Sequence, residues 1–195
     1  MKNREASVRR TTSETEVKVR LDVDGSGAAT IDTQIGFFDH MLALMSGHGL
    51  FDLEVSARGD REVDDHHTVE DVGTTIGRAL RETLGEKAGI ARYGAALLPM
   101  DETLARVCVD LSGRPGCWCR LPPGRTIGTF DVELVEVFLS ALARGAALTL
   151  HVDLLAGRNA HHIAEAVFKG LGRALGEATR VDPRRRGVPS TKGSL

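Results

Sequence analysis

The chain has 195 residues, enough for one large domain or two fused halves with a real hydrophobic core. Lys and Arg number 25 against 27 Asp and Glu, a net charge of −2, so nothing advertises nucleic acid; no apolar run reaches membrane-spanning length, and residues 1–15 lack the apolar stretch of a secretory signal. Cys108, Cys117 and Cys119 are odd in number and form no C-x-x-C pair, which argues against a disulfide framework or zinc knuckle and for reduced strand cysteines in a cytoplasmic protein.

In chain order, Val17, Val19, Leu21 and Val23 alternate with Lys18, Arg20 and Asp22 and predict a half-buried strand. Gly25-Ser26-Gly27 supplies a turn, and residues 28–33 are expected to return as the second arm of a hairpin. Gly36 to Met45 has helical apolar spacing that stops near Gly47-His48-Gly49. Phe51 to Val55 is a short alternating strand. Asp64 or Asp65 can cap the helix that follows, and Gly85 lies past its end. The first half therefore reads strand, strand, helix, strand, helix.

Residues 89–99 read as a connector, after which the order recurs. Leu104 to Leu111 is a strand, Ser112 to Gly116 turns it, and Cys117 to Leu121 returns. Asp131 to Ala143 is an apolar-striped helix, Leu148 to Leu154 a strand, and His161 to Thr179 a second long helix with Asn159 as its cap. Val181-Asp182-Pro183 ends it, and the basic tail is irregular. No low-complexity linker intervenes. The expectation is an α+β fold of two halves, residues 1–88 and 89–195, in one compact domain with sheets backed by helix pairs.

One motif occurs twice. Asp65-His66-His67-Thr68-Val69-Glu70 is answered by Ala160-His161-His162-Ile163-Ala164-Glu165. A shift of 95 residues (161 − 66) matches nine of the twenty positions in 65–84, including an unbroken Gly-Arg-Ala-Leu. On a helix, Glu70 lies above His66 at i+4 and beside His67 at i+3. Adjacent helical side chains diverge by roughly 100°, so the two histidines of a pair do not serve one ion. The economical reading is two metals, each taking one histidine from each pair and a carboxylate. The bland alternative is a duplicated helix whose polar face holds His and Glu. Nitrogen and carboxylate donors without thiolates suit Mn, Fe, Co, Ni or Zn. Two ions near one another can hold a substrate group and stabilise developing negative charge.

Other candidates carry less signal alone. His40 beside Phe37-Phe38 reads as a structural histidine, His48 as a cap or a contact, and His151 as an exposed strand residue or a ligand. Aligning 53–55 with 150–152 sets His40 opposite Val137, so His40 has no histidine twin. Arg92, Arg114 and Ser190-Thr191-Lys192 could hold a phosphate dianion. Glu14 reads as a surface carboxylate. Two other readings remain open on these residues: a two-metal hydrolase of phosphorylated metabolites, and a non-enzymatic assembly stapled by His-Glu faces.

As a set, the residues resemble the imidazoleglycerol-phosphate dehydratase family. The matching pieces run almost end to end: Arg10-Thr11 with Glu14-Thr15, Gly36-Phe37-Phe38-Asp39-His40-Met41-Leu42, both His-His motifs, Arg92-Tyr93-Gly94, Met100-Asp101-Glu102, Asp110 to Pro115, Leu150-His151-Val152, Phe168-Lys169, and Pro189 to Gly193. The resemblance implies a hydro-lyase of histidine biosynthesis. Its substrate is D-erythro-imidazoleglycerol phosphate and its product imidazoleacetol phosphate, by way of an imidazolate held between two Mn ions. It implies Glu14 as acid/base. It implies His40, His66, His67, Glu70, His161, His162 and Glu165 as metal ligands. His48, Arg92, Arg114, Lys169, Ser190 and Lys192 are implied as substrate contacts. It also implies a duplicated ribosomal-protein-S5-type half-domain and an octahedral 24-mer with sites between subunits, acting on a small phosphorylated molecule without nucleic acid or membrane. Many members carry a ligating histidine where Val137 stands, so one ion here has a weaker shell, or His151 or water substitutes.

Overall fold

Each half of the chain builds one four-stranded sheet, and the helices of the two halves pack against each other between the sheets. A computed structural model describes residues 4–193 and 195. The first half runs β1 (Glu5–Thr11), β2 (Thr15–Asp22), β3 (Ala29–Asp32), α1 (Gly36–Gly49), β4 (Asp52–Gly59) and α2 (His66–Leu84). The second runs β5 (Tyr93–Met100), β6 (Thr103–Asp110), β7 (Gly116–Arg120), a small ribbon of β8 (Thr126–Ile127) and β9 (Phe130–Asp131), α3 (Glu133–Ala146), β10 (Thr149–Ala156) and α4 (Ala160–Thr179). The sheet orders are β1-β2-β4-β3 and β5-β6-β10-β7, the same topology twice. The duplicated α+β fold is therefore present.

Two features differ from the expectation. Each half opens with a strand that the hydrophobic pattern concealed. β1 is a half-exposed edge strand paired antiparallel with β2. β5 replaces the expected connector, and its inward positions are Gly94, Ala96 and Leu98. Small residues stand there because α4 presses on the strand: a Cβ on Gly94 would lie 1.9 Å from the Ala174 carbonyl oxygen. Neither expected hairpin forms. β3 pairs parallel with β4, and β7 pairs parallel with β10. The carboxylate oxygen Oδ1 of Asp52 accepts from the Ser26, Gly27 and Ala28 amides at 2.7, 3.1 and 2.9 Å, which ties the turn to the start of β4 instead of folding it back on β2. Both edges of β2 are already taken, by β1 and β4.

The helices pair across the halves: α1 packs on α4, and α2 on α3. One continuous core results, in which Phe38, Phe138 and Phe168 are fully buried: the Phe138 ring meets Phe38 edge to face at 5.4 Å and stacks on Phe168 at 5.1 Å. Among the described residues, no helix is long and apolar enough to cross a membrane.

Glycines set how closely the helices approach. A Cβ on Gly172 of α4 would lie 2.2 Å from the Met45 carbonyl oxygen of α1. Its repeat-mate Gly77 of α2 would meet the Leu142 carbonyl oxygen of α3 at 2.5 Å. This explains why glycine stands at the same place in both copies of the Gly-Arg-Ala-Leu run.

A pair of glycine substitutions tests the close crossing. Gly172→Ala should destabilise the protein by about 1–3 kcal/mol, because the helices must part. Gly47, inside α1, has open space where a Cβ would point, so Gly47→Ala should stabilise it by up to ~1 kcal/mol through helix propensity. Denaturant midpoints moving in the same direction for both would contradict the account.

Candidate metal centre

The helix N-termini place the motif histidines. The Asn159 side chain accepts from the His161 amide at 3.0 Å, and Asp64 does the same for His66 at 2.8 Å. Each His-His pair thus occupies a first helical turn. Of the two caps considered for α2, Asp64 makes the bond and Asp65 does not.

The second copy forms a cluster. His161 Nε2 lies 2.9 Å from Glu165 Oε1, one turn along α4. Across the helix pair, His40 Nε2 of α1 lies 3.2 Å from the same oxygen. Lys169 Nζ, a further turn on, donates to Glu165 Oε2 at 2.6 Å. The ligating atoms of His40, His161 and Glu165 all fall within 4.8 Å of one another, the one such group of three among the described residues. His40 is therefore not a satisfied core histidine; it is exposed and aimed at Glu165. Glu165 is buried, which works against its charge, but bonds from Lys169, His40 and His161 hold its carboxyl down at about 2. Two imidazole nitrogens and an ionised carboxylate suit a first-row divalent cation.

His162 points elsewhere, as helical geometry requires. Its Nδ1 lies 2.8 Å from Glu102 Oε2. That bond raises its basicity.

The first copy is arranged differently. His66 and Glu70 line a cleft of about 440 Å³ with Glu136, Val137, Ser140 and Arg144. Val137 on α3 stands there as His40 stands on α1, so the second nitrogen of the set is missing. Arg144 pairs with Glu70 at 2.6 Å. His67 Nδ1 lies 3.0 Å from Asp60 and 3.8 Å from Glu14. The Asp60 bond is the main cause that raises the His67 pKa. His151 lies on the exposed face of its sheet, stacked on Trp118 at 4.8 Å, and does not reach the Val137 cleft within one chain.

The candidate substrate contacts fall into two groups. Arg92 pairs with Asp110 through two bonds, at 2.8 and 3.2 Å, and donates to the Pro189 carbonyl at 2.9 Å. This ties Arg92 to the segment bearing Ser190 and Lys192. The turn holding Arg114 meets the C-terminus, since a Cβ on Gly113 would lie 2.8 Å from Leu195. His48 and Lys169 form the other group, beside Glu165. Burial, then Lys169 and Arg173, push the His48 pKa down. A single chain thus gathers His40, His161, Glu165 and Lys169 in one place, His66 and Glu70 in a second, His67 and Glu14 in a third, and Arg92 with the C-terminal segment in a fourth.

Asp60, Asp101 and Glu102 touch the motif histidines, yet the sequence reading gave them no role. A signal was present. The first two strands of each half repeat at a shift of 88 residues (103 − 15), not 95, and that shift sets Glu102 on Glu14.

Comparisons with known proteins bear on the family and the fold. The family model described as imidazoleglycerol-phosphate dehydratase matches residues 33–175. The chain is 58% identical over 193 residues to the imidazoleglycerol-phosphate dehydratase of Geobacillus sp. (strain WCH70), covering 98% of this chain and 99% of that one. Its identity to the Moorella thermoacetica enzyme of the same name is 55% over 195 residues, covering 99% of each. Two crystal structures of imidazoleglycerol-phosphate dehydratase are similar. That from Staphylococcus aureus is 41% identical with a TM-score of 0.82, covering 91% of this chain and 99% of that one. That from Pyrococcus furiosus, in complex with (S)-C348, is 41% identical with a TM-score of 0.84, covering 96% and 100%.

Glu165→Gln should weaken binding of a titrated divalent cation at least about tenfold, because it removes the one anion in the cluster. Calorimetry on metal-stripped protein checks this, and undiminished affinity would remove the cluster as a cation site.

Proposed function

The chain belongs to the imidazoleglycerol-phosphate dehydratase family, and from that premise we propose how its residues carry the reaction. It is a hydro-lyase of histidine biosynthesis. The observation that carries the mechanistic reading is the meeting of His40, His161 and Glu165 across two helices. The substrate on this reading is D-erythro-imidazoleglycerol phosphate and the product imidazoleacetol phosphate.

The donor set fits a divalent metal, and manganese is the proposed ion, two per site. His40, His161 and Glu165 form one half-shell, and His66 and Glu70 part of another. His67 and His162 complete these shells from neighbouring copies of the chain. Cations bound there would replace the proton on the ring nitrogen and so make the ring a better electron donor, which favours loss of the hydroxyl on the carbon attached to it. Glu14, as base and acid, takes the proton from the next carbon and delivers one to that hydroxyl, which departs as water. One water is lost, and the resulting enol becomes the ketone. Arg92, Arg114, Ser190 and Lys192 hold the phosphate, with His48 and Lys169 against the same substrate. Fixed guanidinium and ammonium groups suit a dianion and keep the reacting carbon beside its base.

Assembly follows from the scatter of these groups over one chain. Glu14 and His67 sit in a different group from His40, His161 and Glu165. Copies of the chain bring them together, on this reading in an octahedral 24-mer in the cytoplasm. Residues 1–88 and 89–195 are the two halves of each copy.

With imidazoleglycerol phosphate and Mn, the protein should form an enolisable ketone without free phosphate; phosphate release would favour hydrolysis. Glu14→Gln should abolish turnover while metal content stays intact, and loss of metal instead would contradict its role as base. Chelation should shrink the particle, because ligands come from different chains; unchanged light scattering after chelation would count against shared ligation.

A further inference from the structure

The duplication places a carboxylate beside each outward histidine, yet at two different distances. A shift of 88 residues (103 − 15) carries β1 and β2 onto β5 and β6, and so carries Glu14 onto Glu102. A shift of 95 (162 − 67) carries His67 onto His162. Glu102 Oε2 lies 2.8 Å from His162 Nδ1, a hydrogen bond. Glu14 lies 3.8 Å from His67 Nδ1, beyond one. In the first half the bond is made by Asp60 instead, at 3.0 Å.

The connections before the two helices explain the exchange. Residues 60–65 lead from β4 to α2 and begin with Asp60. Residues 157–159 lead from β10 to α4, are three fewer, and hold Gly157, Arg158 and Asn159 without a carboxylate. The backbone of that segment grips Glu102 from behind: its Oε1 accepts from the Asn159 amide at 2.9 Å and from the Arg158 amide at 3.4 Å. Glu102 is thus fixed at one oxygen and aimed by the other. Glu14 lies in the turn between β1 and β2, with its side chain half exposed.

We infer that Glu102 is a positioning residue, which holds His162 as the Nδ1–H tautomer and aims its Nε2 at a divalent cation, while Asp60 does the same for His67 and so leaves Glu14 for proton transfer. A carboxylate that accepts from the far nitrogen of a ligating histidine fixes both its tautomer and its direction, and strengthens it as a donor. The inference rests on the reading of His162 as a ligand. It deepens that reading by dividing the labour of two equivalent carboxylates.

The test uses the full chain stripped of metal, with ¹⁵N-labelled histidine for solid-state NMR and Mn titration by calorimetry. In the parent protein the His162 signal, identified by its absence in His162→Ala, should show a protonated Nδ1. Glu102→Ala should lose that tautomer preference and bind Mn about 10–100-fold more weakly. Glu102→Gln still presents an oxygen to Nδ1 and should keep the tautomer and recover part of the affinity. A Glu102→Ala protein with parent tautomer and parent affinity overturns the inference. Equal losses of affinity in Glu102→Ala and Glu102→Gln, with the tautomer unchanged in both, overturn it as well. His162→Ala separates the premise from the inference. If that variant binds Mn like the parent, the ligand assignment fails and the inference with it. If it loses Mn while Glu102→Ala does not, only the role of Glu102 fails.

Discussion

Two helices can touch backbone to backbone only where one of them lacks a Cβ, and the chemistry of this protein hangs on that constraint. Gly172 lets α4 settle on the Met45 carbonyl of α1, and Gly77 lets α2 settle on the Leu142 carbonyl of α3. Each contact joins a helix of one half to a helix of the other. The consequence is chemical as well as structural. His40 comes from the first half and Glu165 from the second, and only the crossing brings them to 3.2 Å. Burial makes Glu165 expensive to charge, so its ionised form depends on Lys169 and His161 of its own helix and on His40, which the crossing delivers.

Duplication supplied two equivalent frames, and they have since diverged. One holds His40, His161 and Glu165; the other holds Val137, His66 and Glu70. The cleft at Val137 keeps a carboxylate and an imidazole, with an arginine on the carboxylate. The sheets have diverged too. The outer face of the first is charged and cross-paired, as between Arg58 and Asp32 or Arg9 and Glu16. The outer face of the second exposes Leu97 and stacks Trp118 on His151. A repeat is thus a guide to geometry, and its departures are a guide to function.

The doubled His-His-x-x-Glu was legible because helical spacing and matching register both leave a mark in sequence. The long helices were legible for the same reason. β5 was not: its inward face is Gly94, Ala96 and Leu98, and contact with α4 removes the large apolar residues that announce a strand. The hairpins were misread because Gly-rich turns signal a reversal locally, whereas β3 and β7 find parallel partners after a helix has intervened. The meeting of His40 with Glu165 spans 125 residues, a pairing that periodicity does not reveal. Glu102 was hidden by the two repeat shifts, 88 for the early strands and 95 for the motif helices.

The most direct measurement is the anomalous scattering of manganese in crystals of the assembled particle. The account predicts two peaks per chain. One lies at His40, His161 and Glu165 and the other, with fewer protein ligands, at His66 and Glu70, and each is completed by a histidine of a neighbouring copy. Peaks held entirely by one chain, or none at these residues, would contradict it.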